Sequence, residues 1–372
     1  MAKKQRTKKN PVFRFLNENT VKIILGVVAS GSFAIAFGQE KISQWVSLSS
    51  PSNSACLDQF YRDVPPYLMK DSLKKNSYAL CFNGFNVMYS GVSKTPLWVA
   101  ELLTPSRLSQ KIPREDSFHE EERVSSAHRA TLADYRGTGY DRGHMAPNAD
   151  MPTKQAQFDS FSLANMVPQA PKNNQQAWRE LEEATRAVVT KQKQDVYVVT
   201  GPVYSAKKLE TIGKGVIVPN ATYKAVYMPK TGAAGVYYVD NNLKNPAPKV
   251  QIISVCALEE LVNINIFPQL TEEQKRNTYK LPLKASEVKA NKPITYANWD
   301  AESQCAEDVS KSDLEALQEE FKRSGGGRTS VSGNTSTSEG STSDAADNND
   351  PQGALIKQLL EAVLQFILQL LK

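Results

Sequence analysis

Short apolar runs broken by turn residues dominate the chain between positions 78 and 255. Residues 78–82 and 86–89 are β-prone and enclose Asn83-Gly84, a pair suited to closing a two-residue hairpin. Residues 97–103 continue as a strand. Further β-rich stretches fall at 196–200, 215–218, 223–228, 236–239 and 250–255, with Lys230-Thr231-Gly232 as a hairpin tip. Between the two blocks the period changes. Ala177, Leu181, Ala184 and Val188 recur at helical spacing, which predicts a helix capped by Asn173 or Asn174 and running to about Lys191. Asn174, Trp178 and Glu182 follow one another on it at four-residue steps, so one face can present an amide and a carboxylate to one ion. Residues 150–159 are expected as a surface loop or short helix, 161–164 as a short extended piece, and 168–171 as a stop imposed by Pro168 and Pro171. A short helix at 257–262 precedes the run 264–270. The pattern predicts an α+β domain, a mainly antiparallel β-sheet core flanked by helices.

The two ends are patterned differently. Residues 1–37 hold Lys3, Lys4, Arg6, Lys8, Lys9, Arg14 and Lys22 against Glu18, which accounts for the whole net charge of +6. The remainder is about neutral, so any grip on polyanions has to come from a local patch. After the basic lead comes an apolar run at 21–37 in which Ala34-Ile35-Ala36 suits a small-residue cleavage site. A secretory signal and an uncleaved membrane anchor both fit it, the run being short for the span of about 20 residues a helix needs. Either keeps the basic end cytoplasmic and exports the rest. The expectation is a bacterial envelope location: periplasmic, membrane-anchored or secreted.

Residues 324–349 are Gly, Ser, Thr, Asn and Asp with almost no large apolar side chain, a composition that cannot repay ordering entropy. They lead to a helical pattern at 354–371 with Ile356, Leu360, Val363, Ile367 and Leu370 on one side. Homo-oligomerisation is the preferred reading of that tail, ahead of a membrane surface or packing back onto the core. The 372 residues therefore divide into a lead and connector (1–45), one globular domain (55–322), a linker (323–352) and a terminal helix (353–372). Four cysteines, none in a C-x-x-C pair, argue for two structural disulfides over a zinc or redox site. Cys56 with Cys81 and Cys256 with Cys305 close the shorter loops; unpaired buried thiols are the alternative.

The densest chemistry lies at 135–147, Tyr-Arg-Gly-Thr-Gly-Tyr-Asp-Arg-Gly-His-Met-Ala-Pro. Its three glycines let the backbone turn tightly and approach a ligand. Asp141, Arg142 and His144 set an acid, a fixed cation and a titratable base side by side, a mixture suited to phosphate chemistry. The chain has three histidines. His119, in a run with Glu120, Glu121 and Glu122, and His128 both read as surface residues. Taken alone, His144 reads either as a general base or as a hydrogen-bonded turn histidine.

Asp141-Arg142-Gly143-His144 followed by Met145-Ala146-Pro147 resembles the signature of the DNA/RNA non-specific endonucleases, the endonuclease G-like ββα-metal or His-Asn finger nucleases. The likeness extends upstream through 128–131 and 133–140, and downstream through 161–169, 174–178 and Leu181-Glu182. It implies a ββα-metal finger and metal-assisted hydrolysis of phosphodiester bonds in DNA and RNA, leaving 5′-phosphates. It also implies roles. His144 would be the general base and Asn174 the direct ligand of Mg²⁺, with Mn²⁺ as the alternate ion. Glu182 would accept hydrogen bonds from water around that ion. Arg142 would bind phosphate with Arg114 or Arg129 beside it, and Asn165 would support the site. A lone amide oxygen suits a hard cation that keeps most of its water. Lys172-Asn173 departs from the family pattern, which makes Asn173 a rival to Asn174. The competing functions are an inactive nucleic-acid-binding module of the same fold and a phosphodiesterase for small or lipid esters.

Overall fold

The computed structural model describes residues 56–325 except Pro246. The basic lead, the apolar segment, the linker beyond residue 325 and the terminal helix expected from the sequence lie outside the described residues. Within them, no helix is long and apolar enough to cross a membrane.

After the short strand β1 (Tyr67–Leu68), the hairpin β2 (Ser77–Phe82) and β3 (Phe85–Ser90) turns at Asn83-Gly84, where Gly84 has φ +91°. It continues into β4 (Thr95–Leu103). A separate ribbon pairs β5 (Asp141–His144) with β6 (Met166–Gln169). Then come β7 (Val196–Val203), the two-residue strands β8 (Thr211–Ile212) and β9 (Val216–Ile217), the hairpin β10 (Ala221–Met228) and β11 (Ala233–Asp240), and β12 (Val250–Ile253). β13 (Ile264–Asn265) returns to β1, and β14 (Asn277–Tyr279) pairs with β15 (Tyr296–Trp299). Seven strands form one antiparallel sheet in the order β12-β11-β10-β7-β4-β3-β2. This is the mixed fold with an antiparallel core that the alternation predicts.

Both faces of that sheet are covered, and the period of two sorts side chains between them. Val99, Val198, Val226 and Tyr237 point to one side, where they meet Trp178, Leu181 and Val188. Trp98, Val199, Tyr227 and Val236 point to the other, against Leu258, Phe267 and Phe321. Phe321, fully buried, comes from the helix Lys311–Ser324 and packs on Phe60 and Trp98. Disulfides join Cys56 to Cys81 and Cys256 to Cys305, the pairing with the shorter loops.

Several local expectations are corrected. Pro168 does not stop a strand: it sits inside β6, in a two-stranded ribbon whose other edge needs no proline N–H. Residues 161–164 are not extended but enter a 3₁₀ turn, Leu163–Asn165, with Ser162 accepting from the Ala164 N–H. The helix that begins at Pro171 passes after two residues into a π-turn, Asn173–Trp178, and is α-helical again over Arg179–Gln192. Neither asparagine caps it, because both side chains are committed elsewhere. The run at 250–255 ends as a strand at Ile253, and Ser254 caps the helix Val255–Val262.

Candidate active site

The β5–β6 ribbon places the signature by direct pairing: Arg142 opposes Pro168 and His144 opposes Met166. At Gly143 a side chain is impossible, since a Cβ would overlap Gln169. Asn165, fully buried, locks the end of the ribbon. Its side-chain oxygen accepts from the Ala146 N–H at 2.9 Å, and its amide donates to the Ala146 and Ser160 carbonyls, both at 2.8 Å. A small separate core, including Tyr135, Leu163 and Met166, lies beneath.

The signature opens onto a cleft of about 430 Å³ lined by Arg114, Phe118, Asp141, Arg142, His144, Pro147, Asn148, Asn174, Gln175, Arg179 and Glu182. Phe118 lines the cleft, and the buried Phe161 lies behind it. The His144 ring meets Phe161 edge-on at 4.9 Å and Phe118 at 5.7 Å. The Arg142 guanidinium lies 3.9 Å above the Phe118 ring, and that of Arg114 lies 5.3 Å from Phe161. Nε2 of His144 is buried and has no hydrogen-bond partner among the described residues. Lost hydration, aided by the positive charges of Arg114 and Arg142 and opposed by Asp116, lowers its pKa to about 3. The imidazole is therefore neutral at physiological pH.

The π-turn also lines the cleft, and its wide register separates two adjacent asparagines. Asn173 is buried, donating to Thr222 and to the Asp240 carbonyl and accepting from Gln169 at 3.1 Å. Asn174 instead lines the cleft, its amide nitrogen donating to Asp141 at 2.8 Å. Gln175 donates to the same carboxylate oxygen at 2.9 Å. With its nitrogen held, Asn174 presents its oxygen as the end available to a cation. Glu182 stands about two turns beyond, and desolvation, opposed mainly by Lys224 and Arg186, raises its pKa to about 7. Among the described residues no three His, Cys, Asp or Glu side chains cluster as a metal cage. One amide oxygen beside one carboxylate fits a hydrated hard cation and does not fit zinc.

Behind the cleft lies a buried set of charges. Arg186 pairs with Asp150 at 2.9 Å and Arg107 with Glu101 at 3.0 Å, while Arg107 also donates to the Asp150 carbonyl at 2.7 Å. Lys224 is buried and donates to Thr200 at 3.1 Å.

The family profile described as DNA/RNA non-specific endonuclease matches residues 66–298. The chain belongs to that family. Human mitochondrial endonuclease G is 40% identical over 170 residues, 42% of this chain and 54% of its own length. A nuclease of Nostoc sp. is 36% identical over 169 residues, covering 44% and 60% of the two chains. Nuclease C1 of Cunninghamella echinulata is 35% identical over 225 residues, covering 55% and 86%. The chain thus spans about half the length of the human relative. A solved EndoG/EndoGI complex is 26% identical, with a TM-score of 0.47 and coverage of 53% of this chain and 89% of that one.

In this member of the family the cleft gathers five of the six residues expected from the sequence: Arg114, Arg142, His144, Asn174 and Glu182. Asn165 lies behind, holding the ribbon. Arg129 pairs with Glu120 at 3.3 Å and does not line the cleft. His119 and His128 are not free surface residues: the first stacks on Phe158 and the second bonds Tyr78 at 2.6 Å. Sequence reasoning missed Gln175, Arg179 and the Arg186–Asp150 pair. Arg179, Glu182 and Arg186 recur at steps of three and four, a helical stripe of alternating charge that marks this face.

Proposed function

We propose that the chain is a sugar-non-specific endonuclease that hydrolyses DNA and RNA and leaves 5′-phosphates. The observation that carries this reading is that His144 and Asn174 line one cleft together with Arg142, Arg114 and Glu182. Neutral His144 takes the proton from the attacking water. The guanidiniums of Arg142 and Arg114, each seated against an aromatic ring, bind the non-bridging phosphate oxygens. Asn174 would hold Mg²⁺, or Mn²⁺ in its place, with Glu182 accepting hydrogen bonds from the water around it; the ion would supply charge neutralisation at the scissile phosphate and its departing 3′-oxygen. Asp141 keeps the Asn174 oxygen aimed inward. Contacts to backbone phosphates carry no sequence information, so weak sequence preference is expected.

Export through residues 1–37 and self-association through residues 354–371 complete the proposal. Purified full-length protein incubated with plasmid and with RNA, with Mg²⁺ or with chelator, tests the reaction. Metal-dependent loss of both substrates, absent in His144→Ala, is expected. Intact substrates, or a His144→Ala variant as active as the wild type, defeat it.

A further inference from the structure

We infer that the β8–β9 hairpin and the neighbouring turn at 136–140 form a phosphate track that holds polynucleotide backbone outside the cleavage cleft. This rests on the nuclease reading and extends it from one linkage to a longer length of substrate.

Four exposed cations, Arg136, Lys207, Lys208 and Lys214, mark the surface. None enters an ion pair among the described residues. Two acids lie nearby, Glu210, exposed, and Asp134, buried. Glu210 accepts from the Tyr140 hydroxyl at 2.8 Å. Asp134 is buried and accepts from the Lys214 N–H at 2.6 Å and from Thr131. The segment thus turns its carboxylates toward protein hydrogen-bond donors and leaves its ammonium and guanidinium groups to water. A protein whose charge beyond residue 37 is about zero has here the local positive patch that a polyanion requires.

The patch is fixed relative to the cleft. Ile212 and Val216 share a small core with Tyr135 and with Met166, the strand partner of His144. At Gly213, φ is +50° and a Cβ would overlap Asp134, so the hairpin presses on the helix that precedes the signature. Tyr140, which holds Glu210, is followed directly by Asp141 of the cleft wall. A backbone leaving the cleft past Tyr140 therefore meets Lys214 on this supported hairpin, and Lys207 and Lys208 in the loop that leads into it. Lysine ammoniums are point charges without base-reading geometry, which suits an enzyme that ignores sequence.

The test compares full-length wild type with the triple variant Lys207→Gln, Lys208→Gln, Lys214→Gln and with Glu210→Gln. Rates are read on a long duplex and on an oligonucleotide short enough to fill only the cleft, across a salt series. For the triple variant, kcat/KM on the duplex should fall about tenfold. Its salt slope should shrink by about two to three, at about 0.9 for each phosphate no longer neutralised, with the short-substrate rate unchanged. Glu210→Gln should strengthen duplex binding. A triple variant with wild-type salt slope overturns the track while the nuclease reading stands; that result would leave the patch to an acidic protein partner. If the wild type cuts nothing, the nuclease reading itself fails. Fluorescence anisotropy on the same duplex then judges the track alone, equal affinities for variant and wild type overturning it.

Discussion

The side-chain amide of Asn174 donates to the carboxylate of Asp141, 2.8 Å away, so a residue inside the family signature fixes the orientation of one on the π-turn. Removing the acceptor frees the amide to turn. Asp141→Ala is expected to weaken apparent Mg²⁺ affinity about 10- to 100-fold, the usual cost of losing a group that orients a metal ligand. Raising Mg²⁺ in the cleavage assay should restore most of the rate; a loss that metal does not rescue counts against this role.

Asn173, one residue earlier, predicts the opposite signature. It is buried and bonded to Thr222, Asp240 and Gln169, so Asn173→Ala leaves buried partners unsatisfied at about 1–3 kcal/mol. A melting temperature lowered by several degrees, with unchanged metal dependence, is the expected outcome of calorimetry beside activity assays.

His144→Ala should lower kcat by about 10²- to 10⁴-fold without loss of fold. Its pKa of about 3 lies below the ordinary 6.5. The native protein therefore resists protonating this ring, and the ring costs stability only as pH falls from about 6.5 toward 3. Above that window it stays a neutral base, so the activity limb near neutrality belongs to another group.

Glu182 is that group. Its pKa in the metal-free protein, raised from 4.5 to about 7, leaves it largely protonated below neutrality, so at subsaturating Mg²⁺ kcat/KM should climb with pH as the ion competes with that proton. Glu182→Gln should lower activity and flatten the climb. The sign for stability is reversed: the native state binds the extra proton between 4.5 and 7, so stability is lost as pH rises through that window. Denaturant midpoints at pH 8 should accordingly be higher for Glu182→Gln than for wild type.

Far from the cleft, Lys275 and Glu259 form a buried pair at 3.0 Å, with Asn265 accepting from the same ammonium at 2.8 Å. Lys275→Met strands the carboxylate and should cost about 3–5 kcal/mol of stability, read by urea unfolding, while cleavage by the folded fraction is unchanged.

Much of this was legible in the sequence, for physical reasons that differ by element. The β2–β3 hairpin is local: Asn83-Gly84 adopts the turn and the flanking runs supply the alternation, so a few neighbouring positions suffice. The signature is equally local, because Gly143 and His144 act through the strand they sit on. Long-range facts were not readable. A proline inside β6 is tolerated only because the ribbon has two strands, and no local rule states how many partners a strand will find. The π-turn is another such case, for helical spacing cannot show an extra residue per turn. That extra residue sends Asn173 into the interior and Asn174 into the cleft. The Arg186–Asp150 pair joins residues 36 positions apart, and a single sequence carries no sign that they meet.

Cys81 touches both limits of the folded domain, bridging to Cys56 and donating its backbone N–H to the Ser324 hydroxyl. The two limits of the described residues therefore both contact one strand, β2. A circular permutant that joins them by a short linker and opens at the exposed turn around Lys230 would cut no strand of the sheet and move no wall of the cleft.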